Sequence, residues 1–188
     1  GVDAMIVREN EFIENFIYDT AYETGKDYFK SKGSKIGILA FLRYYGCTIC
    51  QLDIMEFNKL YEKFEEAGVD IKIVLQSTQE IIKEADKEIR LKFEIICDPQ
   101  QELYKKFEIG AATSLEALKA GNIAEKVAEA KSMGLSHGEY EGNELQLPAM
   151  FIIDENNKVI YSHYAEDGAD IPRAKEVLNM VYEYINKK

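Results

Sequence analysis

The sequence predicts an α/β fold: a three-layer α/β/α sandwich around a mixed sheet with a parallel core and a C-terminal antiparallel hairpin. Three observations predict it. Ile36-Gly37-Ile38-Leu39-Ala40-Phe41-Leu42 is a continuous apolar run of strand length, which suits a central strand covered on both faces. Residues 34–108 alternate between strand and helix periodicity, and a βαβαβα order implies parallel strands joined by right-handed crossovers. Near the C-terminus, two short β runs flank the turn Asp154-Glu155-Asn156-Asn157, which is the pattern of a hairpin.

Each element has its own warrant. Phe12 to Tyr18 has strand-like composition, and Gly25 to Phe29 reads as its returning partner, with a helix as the alternative. Residues 1–33 are therefore an N-terminal extension. After the apolar strand come Arg43-Tyr44-Tyr45-Gly46 and Cys47-Thr48-Ile49-Cys50. From Gln51 to Ala67, Ile54, Phe57, Leu60, Tyr61 and Phe64 recur at three- and four-residue steps, one face of an amphipathic helix. Gly68 stops it. Val69 to Gln76 is a second strand, and Ser77 or Thr78 caps the helix that runs to about Arg90. Phe93 to Cys97 is a third strand, broken by Asp98-Pro99 and followed by a short helix from Gln100 to Phe107. Residues 111–146 differ in texture and read as an insertion: two short helices between Leu115 and Lys131, then a glycine-bearing loop from Ser136 to Asn143. Ala149–Ile153 and Val159–Tyr164 form the hairpin. The last helix starts near Pro172 and buries Ala174, Val177, Leu178, Val181 and Ile185. With no repeat, low-complexity tract or linker, residues 1–188 read as one domain.

Composition narrows the function. A chain of 188 residues buries roughly 70% of the surface that it exposes when unfolded, so its core needs no disulfide or metal. It carries 23 basic and 34 acidic residues, a net charge of −11. That argues against nucleic acid, whose phosphates need a cationic surface, and against anionic membrane surfaces. No apolar run approaches the ~20 residues of a membrane span. The start Gly1-Val2-Asp3-Ala4 lacks a basic region followed by an apolar one, so no signal peptide is read and a cytoplasmic location is expected. Acidic surfaces and edge strands permit a homodimer without requiring one.

The three cysteines, Cys47, Cys50 and Cys97, are too few for a secreted disulfide framework. The spacing of the first two matters more. Their C-x-x-C follows a buried strand and opens a helix, and sites of open parallel sheets lie at the carboxyl ends of strands. A helix start presents free N–H groups and about half a unit of positive charge. A thiolate there is stabilised below the free thiol value of ~8.5. Cys47 is thus expected to be an exposed, easily ionised nucleophile, with Cys50 the resolving thiol. Two other readings stand beside this one. The pair packs as small hydrophobes, or it is half of a zinc site. Zinc wants four ligands, and Cys97, His137 and His163 lack the spacing to complete the set, so no metal and no cofactor is expected. Arg43 either lowers the thiol pKa and holds an anionic substrate or is a solvated strand-end residue. Tyr44 and Tyr45 either wall the site or pack. Cys97 reads as an inert buried thiol, and His137 and His163 as structural or surface residues.

Three stretches in the right order carry a family resemblance. They are Ile38-Leu39-Ala40-Phe41-Leu42-Arg43 before Gly46-Cys47-Thr48-Ile49-Cys50, then Asp98-Pro99-Gln100-Gln101-Glu102-Leu103-Tyr104-Lys105-Lys106-Phe107, then Leu147-Pro148-Ala149-Met150-Phe151-Ile152-Ile153-Asp154. Over residues 34–185 the chain resembles thioredoxin-fold proteins of the peroxiredoxin-like alkyl hydroperoxide reductase/thiol-specific antioxidant group, in the branch with a C-x-x-C. The resemblance implies a thioredoxin-like sandwich with Cys47 as attacking cysteine and Cys50 as its partner. It implies that Pro148 matches the cis-proline facing the cysteines, and that the backbone of Leu147 pairs with a bound thiol substrate. The chain departs from the peroxiredoxin pattern Pro-x-x-x-Thr/Ser-x-x-Cys, because Ala40 and Tyr44 occupy those places before Cys47. The expected function is a thiol–disulfide oxidoreductase acting on a protein or small-molecule disulfide and recycled by a reducing thiol system. The alternatives are a thiol peroxidase reducing hydroperoxides and a redox-inactive binding module.

Overall fold

The computed structural model describes residues 4–188. Gly1-Val2-Asp3, read above for a leader, lie outside the described residues. The chain opens with a small antiparallel pair, β1 (Ile17–Tyr18) and β2 (Lys26–Asp27). The pair lies in the stretch read as a hairpin or a helix, and has two residues per strand before a short helix takes over. Asp27 is the reason, because its carboxylate accepts the Lys30 N–H at 3.1 Å and starts helix α1 (Tyr28–Lys32).

The core then follows the expected alternation. Strand β3 (Ile36–Phe41) leads to α2 (Thr48–Lys59) and α3 (Tyr61–Glu66), then to β4 (Val69–Leu75), α4 (Gln79–Ile89), β5 (Glu94–Cys97) and α5 (Glu102–Lys106). The helix expected over Gln51–Ala67 is two pieces. It begins earlier, at Thr48, and breaks at Leu60, although Leu60 N–H to Glu56 O and Phe64 N–H to Leu60 O still bridge the break. Thr78 is the cap of α4, its hydroxyl accepting from Ile81 N–H. Two helices, α6 (Leu115–Leu118) and α7 (Ile123–Ser132), fill residues 111–146 before the loop over 134–146. Strands β6 (Ala149–Ile153) and β7 (Val159–Tyr164) and helix α8 (Ala174–Asn186) finish the chain.

The main sheet has the order β5-β4-β3-β6-β7. β3 pairs parallel with β4 and antiparallel with β6, so it is central, and all six of its residues are buried. Side chains alternate across a strand, and β3 therefore serves two cores. Ile36, Ile38 and Ala40 pack on the face that holds Ile54 and Phe57 of α2, Ile82 of α4 and Val177 and Val181 of α8. Leu39 and Phe41 pack on the other, with Phe16, Tyr104, Phe107 and Phe151. Helices on both faces of one sheet make the three layers.

Candidate active site

The pairing of β3 with β4 runs past the named strands, through Leu42 N–H to Val74 O at 3.0 Å and Gln76 N–H to Arg43 O at 2.8 Å. The chain then turns, and Cys47 N–H returns to Tyr44 O at 3.2 Å. Cys47 is the N-cap of α2, with extended backbone (φ −66°, ψ 122°), and its carbonyl accepts the first helical bond from Gln51 N–H at 3.0 Å. The cap position usually holds a hydroxyl or carboxylate that takes the free N–H groups of the first turn. Here a sulfur stands there, three residues before Cys50.

Three influences act on that sulfur. Burial alone would raise the Cys47 thiol, but hydrogen bonds from the Cys50 side chain and N–H and the charge of Arg43 outweigh it and bring the thiol down to about 6. Arg43 Nη2 lies 3.2 Å from Cys47 Sγ. Cys50 moves the opposite way: burial, then the neighbouring Cys47 sulfur, push it well above the ordinary thiol range. Burial also pushes Cys97 up to about 12. All three cysteines are free thiols.

Arg43 is held from behind. Its Nη1 donates to the Glu144 carbonyl at 2.8 Å and to Glu144 Oε1 at 3.0 Å. The Tyr44 hydroxyl lies 2.7 Å from Glu144 Oε2 and 3.1 Å from His137 Nε2, while His137 Nδ1 meets Gly138 O at 2.8 Å. Glu144, His137 and Gly138 belong to one loop, which roofs the cysteines. Its backbone is seated by Gly138 N–H to Gly46 O at 2.8 Å and Gln51 Nε2 to Ser136 O at 3.0 Å, and its Glu141 side chain accepts from Thr78 N–H at 2.9 Å. Glycine is required at position 46. A Cβ there would stand 2.2 Å from Glu139 O.

The roof corrects the expectation of an exposed nucleophile: Cys47 is 0% and Cys50 3% exposed. Cys47 instead lies at the wall of a cleft of about 650 Å³, with Arg43, Thr48 and Ile49 from the redox turn, Leu118, Ile123 and Val127 from α6 and α7, and Tyr140 and Glu144 from the roof. Arg43 itself is 9% exposed, so it is no solvated strand-end residue.

The other expected residues sit elsewhere. Tyr45 lines a separate groove with Gln51, Glu80, Glu84 and Glu88, and its N–H donates to Ser77 Oγ at 2.9 Å. The described peptide bonds are all trans, Leu147–Pro148 included, in contrast to the cis bond that the resemblance implied. Leu147 N–H donates to Gly110 O at 3.1 Å and its carbonyl accepts from Gln146 Nε2 at 3.0 Å, so its backbone is already paired within the chain. Leu147 and Pro148 do not line the cleft. His163, on β7, binds the Asp170 carbonyl and carboxylate. Glu144 escapes sequence reasoning altogether, and His137 reads there as a structural or surface residue. Neither carries a motif, and what brings them to the cysteines is the course of the loop.

The AhpC/TSA family model matches residues 19–162. A prostamide/prostaglandin F synthase of Salmo salar is 25% identical over 69% of this chain, which spans 66% of that protein. A thiol-disulfide oxidoreductase ResA of Bacillus cereus is 32% identical over 46% of this chain and 53% of that protein. The crystal structure of a cysteine-to-serine mutant of peroxiredoxin 6 of Arenicola marina superposes with a TM-score of 0.70 at 16% identity, covering 95% of this chain and 74% of that one, a likeness of fold alone. With a family model over most of the sandwich and a cysteine pair at its strand-to-helix turn, the chain belongs to the AhpC/TSA family, a family of thiol-dependent oxidoreductases.

Proposed function

We propose that the protein is a thiol–disulfide oxidoreductase in which Cys47 attacks and Cys50 resolves. The observation that carries this reading is the place of Cys47 Sγ, at the N-cap of α2 and 3.2 Å from Arg43 Nη2, with Cys50 three residues on; that setting brings the Cys47 thiol down to about 6 while burial and the neighbouring sulfur push Cys50 well up. At neutral pH the first is a thiolate and the second keeps its proton, which is the division of labour that the two steps need.

The Cys47 thiolate attacks one sulfur of a substrate disulfide. A Cys47–substrate disulfide forms, the substrate S–S bond breaks, and the second substrate sulfur leaves as a thiolate that takes a proton from solvent. Arg43, 3.2 Å from Cys47 Sγ, stays beside the charge as it moves to the leaving sulfur. Cys50 then attacks Cys47 Sγ. Its proton goes to the departing substrate sulfur, leaving a Cys47–Cys50 disulfide and two substrate thiols. A reducing thiol system returns the pair to the dithiol, and a cytoplasmic setting would keep it there.

A peroxidase would need a hydroxyl to position the peroxide oxygen. The residue three before Cys47 is Tyr44, and its hydroxyl is engaged by Glu144, so the disulfide reading is favoured over hydroperoxide reduction. The split of the thiols likewise favours it over a redox-inactive module.

Single-turnover reduction of a small dialkyl disulfide tests the roles. Wild type should reduce it, Cys47→Ser should fall to the uncatalysed rate, and Cys50→Ser should stall as a mixed disulfide visible by mass. Full activity in Cys47→Ser would refute the assignment.

A further inference from the structure

We infer that the substrate of this redox centre is a small organic disulfide with an apolar body and an anionic group, rather than the disulfide of a folded protein. The inference rests on the oxidoreductase reading and adds the substrate class to it.

Access is the first argument. Cys47 has no exposed surface. On the Gly46 side the roof makes backbone contact, with Gly138 N–H on Gly46 O at 2.8 Å. The cavity whose wall Cys47 joins is the cleft of about 650 Å³, a size typical of small-molecule sites. A protein disulfide brings two backbones with Cα atoms about 4.4–6.8 Å apart. Both would have to enter the cleft for one sulfur to reach Cys47 Sγ.

Lining and charge give the class. Ile49, Leu115, Leu118, Ile123 and Val127 supply an apolar wall, which suits an aromatic or alkyl body. The protein as a whole carries a net charge of −11, and that field repels anions. The cleft departs from it: its cationic residues are Arg43, Lys119 and Lys131, against the single acid Glu144. Arg43 is already paired with Cys47 and Glu144. Lys119, which ends α6, and Lys131, in the last turn of α7, remain as exposed cations, and they complement a carboxylate at the outer end of the substrate. At the inner end, Arg43 Nε is buried with no hydrogen-bond partner among the described residues. It is a donor for the leaving thiolate, which carries the negative charge away from Cys47 when the substrate S–S bond breaks.

Stopped-flow reduction by the fully reduced protein tests this. The probes are dithiobis(2-nitrobenzoate), its neutral bis-amide and insulin, each rate divided by that of dithiothreitol at the same pH. The normalised rate should favour the anionic probe over the neutral one by roughly tenfold, a ratio that shrinks in 0.5 M salt, as expected for two cations within a Debye length (~10 Å at 0.1 M) of the bound anion. Lys119→Glu with Lys131→Glu should bring the ratio to one or below. Insulin should be reduced no faster than by dithiothreitol. Equal normalised rates for the two small probes, a ratio unmoved by the double reversal, or insulin reduced faster than either would overturn the inference while leaving the oxidoreductase reading intact. No reduction of any probe by wild type would overturn both.

Discussion

Arg43 connects the reacting sulfur to the rest of the molecule, with Nη2 on Cys47 Sγ and Nη1 on Glu144. The Cys47 thiol is down at about 6 against burial that would raise it, with the hydrogen bonds from Cys50 and the Arg43 charge opposing. Arg43→Met keeps the bulk and removes the charge, so the thiol should move up. The thiolate is the reactive form. Wild-type alkylation by iodoacetamide should therefore rise with pH through about 6 and then level off. In Arg43→Met the midpoint should move above about 8, which lowers the rate at about pH 7 by about tenfold. Cys97, pushed up to about 12, and Cys50, also raised, should stay silent over this range. A variant midpoint still near that of wild type would show that Arg43 does not set the reactivity of the pair. At this scale the cysteines were legible because a C-x-x-C at a strand-to-helix junction is a local pattern. Glu144, about a hundred positions from Arg43 and Tyr44 in sequence, left no local trace.

Among the elements, α2 has the most to hold. Its N-cap and first turn carry the cysteines, and its middle carries Asp53, which pairs with Lys126 of α7 at 2.8 Å with both side chains at most 4% exposed. Burial raises Asp53, and Lys126 opposes that shift. Arg173, at the start of α8, adds a bridge to Glu56 of α2 and Glu129 of α7. The helices of residues 111–146 are thereby fastened to the helix that bears the nucleophile. Asp53→Asn leaves a buried ammonium without its counter-charge and should destabilise the protein by about 3–5 kcal/mol. The double change Asp53→Leu with Lys126→Met should recover most of the loss, since an apolar pair of similar volume replaces two buried charges. Urea unfolding of wild type and both variants checks this, and a harmless Asp53→Asn would show that the pair contributes little. Sequence periodicity found the helices in 111–146 and the apolar stripe of α2. It was silent on Asp53 and Lys126, because a charge buried by another element reads in sequence like any solvated one.

Across the whole molecule, the sheet edge is joined to the N-terminal extension through Glu94 of β5. Tyr18 donates to its carboxylate at 2.7 Å, Lys72 of β4 at 3.0 Å, and Lys26 of β2 pairs with it as well. Burial would raise Glu94, but these donors and cations bring it down to about 2. The folded value lies below the unfolded one of about 4.3. The stabilisation is therefore complete above about pH 4.5 and is lost as pH falls through about 2. Glu94→Gln should lower stability at about pH 7 by about 1–2 kcal/mol for a partly exposed pair and flatten the decline over that acid range. Denaturant midpoints at about pH 7 and about pH 3 measure both, and a wild-type-like acid decline in the variant would remove Glu94 from the account.

Sequence by itself determined the layered α/β sandwich, the order of its core strands and helices, and the placing of two cysteines three residues apart at a helix start. These are properties of short stretches, where side-chain alternation, helical periodicity and the free N–H groups of a first turn act over a few residues. Only the tertiary structure decided that Cys47 lies under a roof, that Glu144 and His137 reach Arg43 and Tyr44, that Tyr45 faces a different groove, and that Leu147 is already paired. Those outcomes depend on contacts between segments far apart in the chain, and such contacts leave no periodic signal in either segment.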